Sequence, residues 1–151
     1  MVYLADMARL ELARHQAYHA ADVTPLKVED LSVIPAEQLQ RTKFVFNPSV
    51  RLLDSPYPIV RIWDANQDEC KSDETINLDS GAEKLCVYRF DYEVRVRELD
   101  QAAYCLLIAL ESGASLGEAM IKAAEVDSAK SCEENLALSI YEGFFVNIIE
   151  G

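Results

Sequence analysis

The chain carries two histidines, His15 and His19, four residues apart. On a helix that spacing puts both imidazoles on one face, and Glu11 and Asp22 fall with them inside an arc of about 80°. Such a pair can chelate a transition metal, with a carboxylate completing or orienting the site. The same stripe reads more simply as a solvated or partner-facing polar face, because the sequence offers no identifiable third ligand. Other catalytic signatures are missing. There is no Gly-x-Ser-x-Gly, Gly-x-Gly-x-x-Gly, phosphate-binding glycine loop or His-Glu-x-x-His. The four cysteines, Cys70, Cys86, Cys105 and Cys132, form no Cys-x-x-Cys pair, so zinc-ribbon and thioredoxin-like readings lack their main signal. Cys86 and Cys105 lie in apolar runs and read as free buried thiols. The expectation is a chain without independent enzyme activity and without a metal or other cofactor of its own.

The two histidines belong to an amphipathic helix from Tyr3 to Ala21, whose inward stripe is Tyr3, Met7, Leu10, Ala13 and Ala17. Pro25, in the loop Val23 to Lys27, ends it. A helical turn at Pro35 to Gln40 precedes two short strands within Thr42 to Asp54, joined at Asn47-Pro48. Ile59 to Ala65 reads as a short helix carrying the only tryptophan, Trp63. Asp64 to Glu83 holds seven acids against one base, Lys71, and reads as a mobile surface loop. Leu85 to Phe90 and Glu93 to Leu99 flank Asp91-Tyr92 as a β-hairpin, with Val94 and Val96 on a buried face and Arg95 and Arg97 on a cationic one.

Three helices follow. Asp100 caps Gln101 to Leu110, which is apolar almost all round and therefore central, and Gly113 marks its stop. Capping boxes at Ser115 to Glu118 and Ser131 to Glu134 open two more. Gly143 ends the last, and Phe144 to Ile149 is a final strand. The order hairpin, three helices, strand predicts an α+β fold: an amino-terminal helix, a small antiparallel sheet and a winged-helix-like three-helix module. Residues 1–40 read as a connecting helix and helical turn, and 41–151 as the winged-helix-like domain, packed as one compact unit.

Charge narrows the partners. The 151 residues carry 14 bases and 26 acids, a net charge of −12, with 50% hydrophobic residues. A polyanion is repelled by most of such a surface. From Asp100 to Gly151 the only bases are Lys122 and Lys130, against nine acids, so a recognition helix drawn from that segment has the wrong sign for phosphates. Positive charge gathers on the strands instead. Between Arg41 and Arg61 the bases Arg41, Lys43, Arg51 and Arg61 oppose Asp54 alone, and Arg89, Arg95 and Arg97 lie on the later hairpin. A cationic sheet in an acidic protein can accept an extended acidic peptide as an added strand, while charged edges are equally what a sheet needs to avoid aggregation. No apolar run approaches the roughly 20 residues of a membrane span, and the amino terminus lacks a signal-peptide pattern; a cytoplasmic location is expected.

Three segments together resemble a known family: Leu4 to Asp22 (LADMARLELARHQAYHAAD) followed by Pro25-Leu26, Asn47 to Gln67 (NPSVRLLDSPYPIVRIWDANQ), and Glu93 to Leu99 (EVRVREL). They look like the carboxyl-terminal half of the HvfC/BufC-type peptide-modification chaperones, a group once labelled DNA-binding proteins, and are similar in kind to the partner subunits of methanobactin- and thiaglutamate-type multinuclear iron oxygenases. The middle segment is the most specific part. Family members usually begin with a helical amino-terminal domain, whereas this chain starts at the connecting helix and so reads as a short form or a fragment. The loop Asp68 to Ser80 is more acidic than the family pattern.

The resemblance implies a non-catalytic subunit that presents a ribosomally made precursor peptide to a non-haem iron oxygenase, which holds the iron and oxidises the peptide's cysteines. It also implies a similarity to leader-recognition elements, to which a leader peptide adds as a β-strand. On that reading Phe44, Phe46, Arg51, Arg95 and Arg97 are the expected peptide contacts, apolar side chains gripping alternate residues and arginines steering acids. His15, His19, Arg51, Tyr57, Pro58 and Trp63 are the expected partner interface, aromatic and arginine anchors being common hot spots. Two other readings stay open: a winged-helix DNA-binding regulator, and a free-standing metal-binding protein using His15 and His19.

Overall fold

The computed structural model describes residues 2–65, 81–126 and 129–149. Among them the chain is α+β, in the order α1 (Leu4–His19), α2 (Val28–Ser32), α3 (Ala36–Gln40), β1 (Lys43–Phe46), β2 (Arg51–Ser55), α4 (Ile59–Ala65), β3 (Glu83–Phe90), β4 (Glu93–Leu99), α5 (Gln101–Glu111), α6 (Leu116–Ala124), α7 (Ala129–Tyr141) and β5 (Phe145–Ile149).

An antiparallel sheet of order β2-β3-β4 forms the centre. Its middle strand is buried on both faces, which is why Leu85 to Tyr88 is an unbroken apolar run rather than an alternating one. Leu85 and Val87 point to one face, where they meet Leu10, Ala13 and Ala17 of α1, Leu53 of β2, and the half-buried Val94 and Val96 of β4. Cys86 and Tyr88 point to the other, into a larger core built on α5, α6, α7, β1 and β5. The predicted inward stripe of α1 is thus buried at Leu10, Ala13 and Ala17 and half-buried at Tyr3 and Met7.

β1 and β2 are consecutive yet belong to different sheets. β1 pairs antiparallel with β5, Phe44 opposite Ile148, while β2 pairs with β3, Leu53 opposite Leu85. Asn47 at the join explains the divergence. Its backbone N–H donates to Phe144 O at 2.7 Å and its buried Nδ2 to Gly143 O at 3.0 Å, while its Oδ1 accepts from Ser49 N. One side chain therefore holds the chain's turn against the end of α7 and occupies its own polar atoms.

The β3–β4 hairpin turns on Asp91 and Tyr92, with φ of 52° and 65°, the paired left-handed conformation of a two-residue turn. Asp100 caps α5 by accepting from Ala103 N at 2.7 Å, and Ser115 and Glu118 close a reciprocal capping box on α6. The third predicted cap is displaced. α7 starts at Ala129, so Ser131 lies inside its first turn; Ala129 and Lys130 are good helix formers and carry the helix upstream. Two expectations about the acidic segment separate. Residues 66–80, with Cys70, lie outside the described residues. Its ends do not behave as loop: Asp64 is in α4, and Glu83 is a buried residue of β3.

Candidate functional site

Among the described residues β4 is the outer strand of its sheet, paired on one side only, with β3. Strand alternation puts Arg95 and Arg97 on the face shared with Tyr88 and Cys86, opposite which they stand in register. That face is not the open cationic surface the alternation predicts. The carboxyl end of α7 packs over it, and Arg97 is taken up there: Nη1 donates to Glu142 Oε1 at 3.0 Å, Nη2 to Ser139 Oγ at 3.1 Å, and the guanidinium sits 4.7 Å above the Phe144 ring. Its side chain is 15% exposed and that of Glu142 11%. Tyr88 completes the cluster by donating its hydroxyl to Glu142. Burial, with the adjoining Glu142 carboxylate, pushes the Tyr88 phenol far up, so it stays a donor. Arg97 is therefore a buried tie between β4 and α7 rather than a free cation, because an unpaired guanidinium at that depth is costly.

Arg95 is different. Its side chain is 41% exposed, lies 3.7 Å from the exposed Glu93 carboxylate and stacks 4.8 Å over Phe90. Phe90 in turn faces Tyr141 of α7, ring centroids 6.1 Å apart. With the exposed Tyr141, these side chains form an aromatic and cationic lip beside β4.

The other expected peptide contacts are placed elsewhere. Phe44 is buried at 6% exposure, its ring 4.7 Å from Phe145. Phe46, half-buried, meets the same Phe145 ring edge-on. Both rings thus build the core beneath β1 and β5 through Phe145, the chain neighbour of the Phe144 that supports Arg97. Arg51 faces α1: its Nε donates to Gln16 Oε1 at 3.1 Å and its Nη1 to the carbonyls of Pro48 and Val50. The structure joins Arg95 and Arg97 on one face but places Arg51 with the residues expected at the partner interface.

Those residues form a second region around α1 and α4. His15 and His19 are exposed, their rings 4.4 Å apart, with Tyr18 edge-on to His19. An open cavity of about 530 Å³ runs between Arg14, His15 and Tyr18 on α1 and Tyr92, Glu93 and Val94 on the hairpin. Tyr57 and Trp63 are half-buried against the core under α1, and Pro58 is fully buried. Arg14 stacks 4.2 Å over Trp63, and burial there lowers its pKa against the opposing pull of Asp64. Asp22 is withdrawn from the histidine stripe. Arg89 holds it at 2.9 Å and also donates to the carbonyls of Ala17, Tyr18 and Ala21, a cationic cap on the end of α1. Among the described residues no three His, Cys, Asp or Glu side chains gather to hold a metal ion.

No protein-family model, curated protein or solved structure matches the chain.

Among the described residues no helix is long and apolar enough to cross a membrane. Sequence reading missed Glu142, Ser139 and Tyr88, because the bonds that join Arg97 to Ser139 and Glu142, and Tyr88 to Glu142, cross 42 to 54 residues of chain that no local pattern spans. It also missed Arg89 as the cap of α1, for which the distant Asp22 was the only trace.

Proposed function

We propose that this chain is a non-catalytic accessory subunit that binds a ribosomally synthesised precursor peptide and docks it on a multinuclear non-haem iron oxygenase. The iron sits in that partner, which oxidises the peptide's cysteines, and the pair works in the cytoplasm. The observation that carries the reading is the outer edge of β4 beside the lip of Arg95, Phe90 and Tyr141. An outer strand presents alternate N–H and C=O groups that an extended peptide can pair with. Arg95 supplies the charge that favours an acidic leader, and the two rings supply apolar contact for its alternate side chains. Arg97 acts one layer beneath, tying α7 to β4 so that the lip keeps its shape. Phe44 and Phe46 support it from the core rather than touching the peptide.

The outer face of α1, with His15, Tyr18 and His19, is the docking side for the oxygenase, backed by Arg51, Tyr57, Pro58 and Trp63. The resemblance in the segments Leu4 to Asp22, Asn47 to Gln67 and Glu93 to Leu99 supports this assignment of faces. Arg95→Glu tests the peptide side. The substitution lies at a half-exposed position outside the buried cluster, so the chain is expected to fold normally and to lose precursor affinity by about tenfold or more. Unchanged affinity for the precursor would remove β4 from the binding surface.

A further inference from the structure

A cavity of about 340 Å³ lies between α5 and α6, lined by none of the residues assigned above to peptide or partner. Its origin is visible in α5. That helix is apolar almost all round, and Ala102, Ala103, Leu106, Leu107, Ala109 and Leu110 already fill the core. Tyr104, Cys105 and Ile108, at the spacings of a single helical face, are left over. They form an apolar wall, which Val126 after α6 extends.

Two cations border it. Lys84 of β3 holds its ammonium 4.9 Å over the Tyr104 ring and 3.2 Å from the Asp54 carboxylate. Lys122 of α6 is exposed and, among the described residues, forms no salt bridge. The placement is selective, because residues 100–151 contain only two bases against nine acids, and one of the two faces this cavity.

We propose that the α5–α6 cavity binds a small amphipathic carboxylate, its aliphatic or aromatic part against Tyr104, Ile108 and Val126 and its acid group at Lys122. The size falls at the lower end of small-ligand pockets, and a mostly apolar lining with a few placed polar groups is how such sites select their ligands. Lys84, already shared with Asp54, adds field without being the main partner. A neutral ligand of the same shape gains the wall but not the ammonium.

Cys105 provides the readout, since its thiol lines the cavity while Cys86 and Cys132 are fully buried. In a full chain carrying Cys70→Ser, the rate of iodoacetamide alkylation at Cys105 is followed by mass spectrometry against decanoate, kept below its micellar range, and against decanol. Decanoate is expected to slow alkylation saturably and decanol to do so more weakly. Lys122→Glu, an exposed change that leaves the core intact, is expected to raise the half-protecting decanoate concentration about fivefold. Three results would each overturn the proposal: no protection by decanoate, equal protection by decanol, or an unchanged decanoate concentration in Lys122→Glu. Protection by the precursor peptide but not by decanoate would likewise overturn it and make the cavity a macromolecular contact.

Discussion

Arg97 and Arg95 stand two residues apart on one strand, and their surroundings give them opposite duties. Arg97 shares its charge with Glu142 and stacks on Phe144 at low exposure. Removing it leaves the Glu142 carboxylate and the Tyr88 hydroxyl facing a space that water fills poorly. Arg97→Ala is expected to destabilise the fold by about 3–5 kcal/mol, the range for breaking one partner out of a buried pair. Denaturant melts of Arg97→Ala, Glu142→Gln and the double variant measure it, and the double variant is expected to lose less than the sum of the singles. Arg95→Ala, by contrast, should stay within about 0.5 kcal/mol of the parent. Glu83 makes a pH prediction. Its carboxylate is buried at the start of β3 and accepts a long 3.4 Å hydrogen bond from Val60 N. Burial raises its pKa, with that hydrogen bond only partly opposing. A carboxyl whose folded pKa lies above its unfolded value favours the fold while protonated, and that contribution is lost as pH rises through the raised pKa. Glu83→Gln keeps an acceptor for Val60 and removes the charge. It is expected to raise the melting temperature at neutral pH and to match the parent near pH 4, which thermal melts across that range would check.

At the scale of elements, the parts legible in the sequence were those encoded by neighbours in the chain. The Leu10, Ala13 and Ala17 stripe, the Asp100 cap, the Ser115 to Glu118 box and the Asp91-Tyr92 turn each depend on residues a few positions apart, where helical period, capping and turn chemistry act. What escaped depended on chain segments meeting late. The separation of β1 from β2 is decided by β5, about a hundred positions downstream of β1, and by Asn47 reaching Gly143. The cationic face of the hairpin looked open because the alternation of Val94 to Arg97 says nothing about the helix that covers it. The candidate lip was therefore half legible: Arg95 could be named, whereas Phe90 and Tyr141 became neighbours only once α7 was in place. The cap on α1 gives a prediction at this scale. Arg89→Ala removes three hydrogen bonds to carbonyls at the end of α1 together with the Asp22 pair. Faster amide exchange is expected over the last turn of α1 and residues 20–22, with α5 unchanged, as hydrogen-exchange mass spectrometry can show.

For the whole molecule, the sheet is a shared wall between two cores, α1 closing one side and the helices after β4 closing the other. This leaves the outer edge of β4 and the outer face of α1 on one sheet-centred unit, and in the proposed function the first holds the peptide while the second docks on the oxygenase. A net charge of −12 repels polyanions over most of the surface, and in the proposed function local cations such as Arg95 select the partner. The direct test is to co-purify the chain with a multinuclear non-haem iron oxygenase from its gene neighbourhood, measure the metal in each subunit, and follow oxygen-dependent turnover of the precursor peptide with and without this chain. A complex with iron in the oxygenase alone, and turnover that requires this chain and falls with Arg95→Glu, is the predicted result. Failure to form a complex, or full turnover by the oxygenase alone, would contradict the account.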